Sequence, residues 1–329
     1  MKINRFFTLF MLILSFLFFV SACINNTGNK AQILPPIYND SIESKNDYEV
    51  YYETLVRELE IRSNKQKGVV RNLAVMSPLG KKINLQQESD QEIYERLRDT
   101  AKVIYGIDNR YDMYETYNLQ VRKNAKAVGS FWRQHSIHDL GNGKSKLMTS
   151  KYGKVYGLCK SEVFYDQPIG AFCTVFLVAP DIVATAGHCV NNSDINRKRI
   201  VFGFRQKSKN ETNLVIPNDD IYRPVKLLAR KLSVFGLDFA IIKLDREVKG
   251  IEPLQLGLNP DEGDEVYVIG HPAGLPLKYA PSAKVLDDGG HKVYFKANLD
   301  TYGGNSGSPV FNEKHQVVGI LVRGEVDFI

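Results

Sequence analysis

The chain has 329 residues, 43% hydrophobic and 24% charged, with 43 basic against 37 acidic side chains. That balance excludes wholesale disorder, collagen-like structure and a polytopic membrane protein, and it suits one or two globular domains. The formal charge is +6, or +4 once the leader basics Lys2 and Arg5 are set aside. No tight Lys/Arg block carries the excess, so no nucleic-acid partner is expected.

Residues 1–23 read as an export signal. Lys2 and Arg5 precede an apolar run from Phe6 to Val20 that is broken only by Thr8 and Ser15. A spanning helix needs about 20 apolar residues. This run is shorter, and the small pair Ser21-Ala22 before Cys23 suits a processing site. Val20-Ser21-Ala22-Cys23 also resembles a bacterial lipobox, in which the Cys is acylated and becomes the mature N-terminus. Cys23 is therefore expected to tie the protein to a membrane through lipid; the alternative is a secreted chain cut near Ala22. Both place it outside the cytoplasm, where disulfides persist.

Residues 24–46, with Pro35-Pro36, are polar and turn-rich, and are expected to form a flexible tether. From Asp47, the spacing of Tyr48, Tyr51, Tyr52, Leu55 and Leu59 predicts a helix with one apolar face. A second helix is signalled by the capping pattern Ser89-Asp90-Gln91-Glu92. Its stripe would be Ile93, Leu97, Ala101 and Ile104, with Gly106 as the stop. Residues 47–100 thus form an N-terminal helical extension or a propeptide. After Lys126 the texture changes to short β-prone runs between Gly, Pro, Asn and Asp. These are 172–178, 182–185, 200–204, 225–228, 239–244, 265–269, 292–297 and 317–322. Such runs without long helical patterns between them predict antiparallel barrels or sandwiches.

Three separate segments supply the side chains of an activated nucleophile. Thr185-Ala186-Gly187-His188-Cys189 delivers a His at a strand end, Asp238 heads the apolar run Phe239-Ala240-Ile241-Ile242, and Ser306 lies in Gly303-Gly304-Asn305-Ser306-Gly307-Ser308-Pro309-Val310. Serine alone is a poor nucleophile. It becomes useful when a His takes its proton and an Asp fixes the His tautomer.

In the order His, Asp, Ser, these segments resemble the active-site signatures of trypsin/chymotrypsin-like serine peptidases, and the glycine-rich one is closest to the bacterial glutamyl-endopeptidase-like branch. The resemblance covers roughly residues 101–329. It implies an all-β fold of two antiparallel six-stranded β-barrels, here preceded by the helical segment, and a serine endopeptidase working through an acyl-enzyme on protein or peptide substrates. It also implies that His188 is the general base, Asp238 its orienting carboxylate and Ser306 the nucleophile, with the backbone N–H groups of Gly304 and Ser306 as the oxyanion hole. The family's bridge between the His loop and the preceding strand would pair Cys173 with Cys189. Cys159 then has no assigned partner: it is either a buried thiol or a competitor for Cys173.

The same resemblance places three residues at the substrate pocket. Asp300 stands where trypsin-like enzymes carry a carboxylate for Arg or Lys, Thr301 fits the glutamate-specific branch, and Leu321 stands where that branch has a His. Asn305 replaces the Asp that pairs with a freed N-terminus, so that activation route is not expected. Only five residues follow Gly324, which shortens the family's C-terminus and leaves a second reading, an inactive fold serving as a surface binding or adhesion module. His135 and His138 lack a carboxylate or Cys cluster for zinc, and the chemistry needs no metal or organic cofactor. His271, in Gly270-His271-Pro272-Ala273-Gly274, and Trp132 are expected to be structural.

Overall fold

The computed structural model describes residues 47–63, 74–76, 82–99, 108–158, 160–233, 237–290 and 293–323. The expected export signal, Cys23, the expected tether, Cys159 and the residues after Arg323 lie outside these ranges. Among the described residues no helix is long and apolar enough to cross a membrane.

Both expected helices form, at Asp47–Ser63 and Asp90–Asp99. The capping box closes reciprocally: the Ser89 N–H donates to Glu92 Oε2 at 2.6 Å and the Glu92 N–H to Ser89 Oγ at 3.3 Å. That satisfies amides the first turn cannot bond internally. The expected continuation through Ala101 and Ile104 lies outside the described residues. Tyr51, Leu55, Val56 and Leu59 of the first helix bury against Ile83, Leu85 and Ile93, so the extension owns a small core. Arg62 ties it together through Glu58, Asp90 and the Glu88 carbonyl.

The remainder is built on two antiparallel sheets. The first runs in the order Ile221–Tyr222, Lys198–Phe202, Val128–Arg133, Cys173–Ala179, Ile182–Thr185, Asp238–Leu244, Pro224–Leu232. Its two edge strands are separated in the chain by Arg223 alone. One bent strand, 221–232, therefore joins the two ends of the sheet covalently, although no ladder bridges them. Counted that way the sheet has the six strands the resemblance implies. The second sheet orders Lys296–Ala297, Lys278–Asp287, Glu265–Gly270, Pro309–Asn312 and Val317–Ile320, with Tyr111–Asp112 paired onto Lys278–Asp287. Among the described residues it stays open.

The strand Asp238–Leu244 alternates as its sequence predicts, burying Asp238, Ala240, Ile242 and Leu244. Two strands escape such reading. Val128–Arg133 is buried along five consecutive residues, so no alternation marks it. Lys278–Asp287 contains Pro281, which argues against a strand. The fold accepts it at a bulge: Val266 faces Ala283 and Val268 faces Ala280, with Ser282 at φ 63° absorbing the extra residue. Of the expected 292–297 run, residue 292 lies outside the described residues, and within 293–297 the strand is Lys296–Ala297. Phe131, Val175, Leu177 and Ile242 of the first sheet share one apolar cluster with Ile269 and Phe311 of the second. At about 1.5–3 kcal/mol for each fully buried large side chain, this shared core fixes the sheets against each other.

Candidate active site

Strand pairing brings the first two residues together. Thr185 faces Ala240, so continuing that antiparallel register sets Gly187 opposite Asp238. Asp238 then grips the next residue twice: Oδ2 lies 2.6 Å from His188 Nδ1, and Oδ1 accepts the His188 backbone N–H at 3.0 Å. A carboxylate can only accept there, so Nδ1 carries a proton, and in the neutral imidazole Nε2 is the ring's acceptor. Glycine is required at 187, where a Cβ would stand 2.3 Å from the Lys231 carbonyl oxygen. The turn is held further by Arg230, whose Nε donates to the Gly187 carbonyl at 2.7 Å.

Ser306 reaches the same place from the second sheet. Its turn is closed by the Asn305 N–H on the Tyr302 carbonyl at 3.0 Å and the Ser308 N–H on the Asn305 carbonyl at 2.8 Å. Gly307 sits at φ 89°, with no room for a Cβ between the Thr174 carbonyl and Thr185 Oγ1, both 2.2 Å from that position. Thr174 is the hub of the arrangement. Its N–H donates to the Ser306 carbonyl at 2.8 Å, and its hydroxyl accepts the His271 N–H and donates to the Gly304 carbonyl, both at 3.0 Å. The expected disulfide Cys173–Cys189 is formed, and Cys189 Sγ lies 3.7 Å from the Ser306 carbonyl oxygen. His turn and Ser turn are thus fastened to one strand, 173–179.

The direction of the Gly304 amide follows from peptide planarity. The Ala273 N–H donates to the Gly303 carbonyl, so the Gly304 N–H, trans to it in the same peptide, points the opposite way. His188 and Ser306 are fully buried, and among the described residues His188 Nε2 and Ser306 Oγ have no hydrogen-bond partner. Buried polar atoms are nearly always paired. Two unpaired ones in one turn-to-turn assembly mark a place built for something other than stability. Helix Asp90–Asp99 of the extension lies close to the 187–189 turn, and Leu232 joins the helical core.

Residues 173–320 match the family described as the trypsin-like peptidase domain. This segment is similar to trypsin-like peptidase domains. Glutamyl endopeptidase of Staphylococcus epidermidis is 28% identical over 146 residues, 40% of this chain and 51% of the relative. The chain therefore spans about half the length of the curated relatives it matches. A solved Glu endopeptidase in complex with MPD is 18% identical at a TM-score of 0.39, covering 66% of this chain and 86% of its own. A serine endoprotease from Yersinia pestis is 16% identical at a TM-score of 0.39, covering 62% and 56%.

Elsewhere in the two-sheet body the expected pocket residues divide. Asp300 and Thr301 are each 2% exposed, and Asp300 Oδ2 accepts the Asn109 N–H at 3.0 Å, so this carboxylate is engaged by the chain itself. Leu321 flanks the Ser306 turn, its N–H on the Ser308 carbonyl at 2.9 Å and its carbonyl taking the Gly307 N–H at 2.7 Å. His271 is structural, with Nδ1 2.9 Å from the Leu275 carbonyl oxygen; burial pushes its pKa down to about 3. Trp132 is buried and donates to Ser130 Oγ at 2.8 Å. His135 and His138 are exposed. Among the described residues the one grouping with metal-ligand spacing is Cys173, His188 and Cys189, which is the disulfide and its neighbouring imidazole. Sequence reasoning missed Thr174 and Arg230. A hydroxyl inside the apolar run after Cys173 was the available signal for the first.

Proposed function

We propose that the chain is an exported serine endopeptidase, held to a membrane by lipid on Cys23. The observation that carries this is the double grip of Asp238 on His188, which leaves Nε2 as a proton acceptor beside a glycine-rich serine turn. In the proposed reaction Ser306 Oγ attacks the scissile carbonyl carbon while its proton passes to His188 Nε2. The carbonyl oxygen, now anionic, is stabilised by the N–H groups of Gly304 and Ser306; one such donor is worth about 10²–10³ in turnover. His188 then protonates the leaving amine, and water, activated by the same imidazole, releases the acyl group. The disulfide supports an extracytoplasmic place of work. With Asp300 engaged by Asn109, a preference for Arg or Lys loses the carboxylate it would need.

We further assign residues 47–99 the role of a cover. Helix Asp90–Asp99 lies on the turn that carries His188, and the fully buried base and nucleophile become reachable when it lifts. An inactive binding module is the competing reading, favoured by the missing partners of Nε2 and Oγ. Hydrogen bonds between base and nucleophile often form only with substrate in place, which accommodates that observation. Cleavage of a mixed peptide library by the wild type, abolished in Ser306→Ala, is the expected outcome. A folded wild type that cuts no peptide, with the extension in place or clipped away, would leave the binding module standing.

A further inference from the structure

We propose that Arg110 is a positioning residue for the oxyanion turn, holding Tyr302 and through it the Gly304 amide. The inference deepens the proposed function and rests on Ser306 being the nucleophile.

Arg110 belongs to a strap, residues 108–112, that precedes the first sheet in the chain yet lies against the serine turn. Its guanidinium is buried, the side chain only 2% exposed. Asp108 holds one edge, Nε to Oδ1 at 2.8 Å and Nη2 to Oδ2 at 2.6 Å. The flat face is used differently: Cζ lies 4.2 Å from the centroid of the Tyr302 ring and 5.3 Å from that of Phe164. A desolvated guanidinium over an aromatic face is among the stronger contacts of this kind, and its planarity is what a Lys cannot supply.

Tyr302 is two residues before Gly304. Its carbonyl accepts the Asn305 N–H that closes the serine turn, and its side chain clusters with Tyr152, Ile169, Ala273 and Leu275. Ala273 is also the residue whose N–H fixes the Gly303 carbonyl, and with it the direction of the Gly304 N–H. A ring at 302 that shifts carries that peptide with it.

The strap is itself held at both sides of Arg110. The Asn109 N–H meets Asp300 Oδ2 and its amide donates to the Pro281 carbonyl, each at 3.0 Å. Asp112 accepts from Gln167 Nε2 at 2.7 Å and from the buried Lys278. Residues on both sides of Arg110 are therefore bonded to the second sheet and the 300–302 segment. The guanidinium between them is pressed onto the residue that begins the turn. In this arrangement Asp300 is a strap anchor.

The test uses the full chain and a fluorophosphonate probe, whose phosphoryl oxygen occupies the oxyanion hole as Ser306 is labelled. Labelling rates are fitted to a saturating rate and a half-saturating probe concentration, and thermal melts by circular dichroism report folding. Tyr302→Leu is expected to lower the saturating rate about 10- to 100-fold, the scale of a turn misplaced by about 1 Å. The half-saturating concentration should stay within about twofold, as for a group that acts only in the transition state. Tyr302→Phe, which keeps the ring face, should recover most of the rate. Arg110→Met should also slow labelling, and the double variant Arg110→Met/Tyr302→Leu should be no slower than the slower single, because the two act as one unit.

Where Arg110→Met does not fold, Arg110→Lys decides, since it keeps a charge for Asp108 but has no plane for Tyr302. Folded Tyr302→Leu or Arg110→Lys proteins labelled at the wild-type rate would overturn the proposal, as would independent, multiplying effects in the double variant. A folded wild type with no label at Ser306, either intact or clipped between residues 99 and 108, would instead remove the nucleophile assignment on which the inference stands.

Discussion

Replacing Asp238 by Asn tests the site with almost no change of shape. The carboxylate spends both oxygens on one residue, Oδ2 on His188 Nδ1 at 2.6 Å and Oδ1 on the His188 backbone N–H at 3.0 Å. Asn has a single acceptor oxygen. If that oxygen stays on the backbone N–H, its NH₂ group meets Nδ1 and drives the ring proton to Nε2. His188 would then face Ser306 as a donor, and the base would be lost while the imidazole remained. A triad left with the wrong tautomer loses about 10⁴ in turnover, which at about 1.4 kcal/mol per factor of ten is on the order of 5–6 kcal/mol of transition-state stabilisation. Folding should suffer far less, by about 1–3 kcal/mol for one weakened buried hydrogen bond. Steady-state hydrolysis of the best-cleaved library peptide measures the effect, with a melting curve as the folding control. A folded Asp238→Asn protein within about tenfold of wild-type turnover would refute the tautomer argument.

Three further outcomes are expected. Removing the disulfide with Cys173→Ala/Cys189→Ala frees a loop of sequence separation 16, worth about 3 kcal/mol in the chain-entropy model. At about 2–4 °C per kcal/mol, the melting temperature should fall about 6–12 °C, and an unchanged melting point would show that the bridge does not fasten the His turn. Burial holds the His271 pKa down to about 3, so below pH 6.5 the unfolded chain takes up a proton that the folded chain refuses. Stability should therefore drain by about 1.4 kcal/mol per pH unit as pH falls from 6.5 towards 3. Urea unfolding should show a flatter pH profile for His271→Gln, and an equal slope would contradict this source of acid sensitivity. Limited proteolysis between residues 99 and 108 should speed fluorophosphonate labelling, since helix Asp90–Asp99 lies close to the turn bearing His188; slower labelling after such a cut would reverse the role given to the extension.

What could be read from the sequence was what is local. The three motif segments are each legible within about eight residues; His188 contacts Asp238, and the disulfide Cys173–Cys189 is present. The capping box at Ser89 and the alternation of Asp238–Leu244 were equally plain, because both are set by neighbours in the chain. Strands whose identity depends on distant partners were hidden. Val128–Arg133 is buried on both faces, and Lys278–Asp287 needs a bulge to tolerate Pro281. The same limit hid Thr174, whose partners lie at His271, Gly304 and Ser306, and the strap 108–112, whose value comes from residues 167, 278, 281, 300 and 302. Motif position also suggested Asp300 as a substrate ligand and could not show that its Oδ2 accepts the Asn109 backbone N–H, a partner 191 positions away in the chain.

The most direct measurement is the mass of the peptide bearing the adduct after the full-length protein, intact or clipped between residues 99 and 108, is incubated with a fluorophosphonate and digested. The added mass should sit on Ser306 and should be absent from His188→Ala. A probe that lands on another residue, or on none in either form of a folded wild type, would contradict a serine nucleophile drawn from this turn.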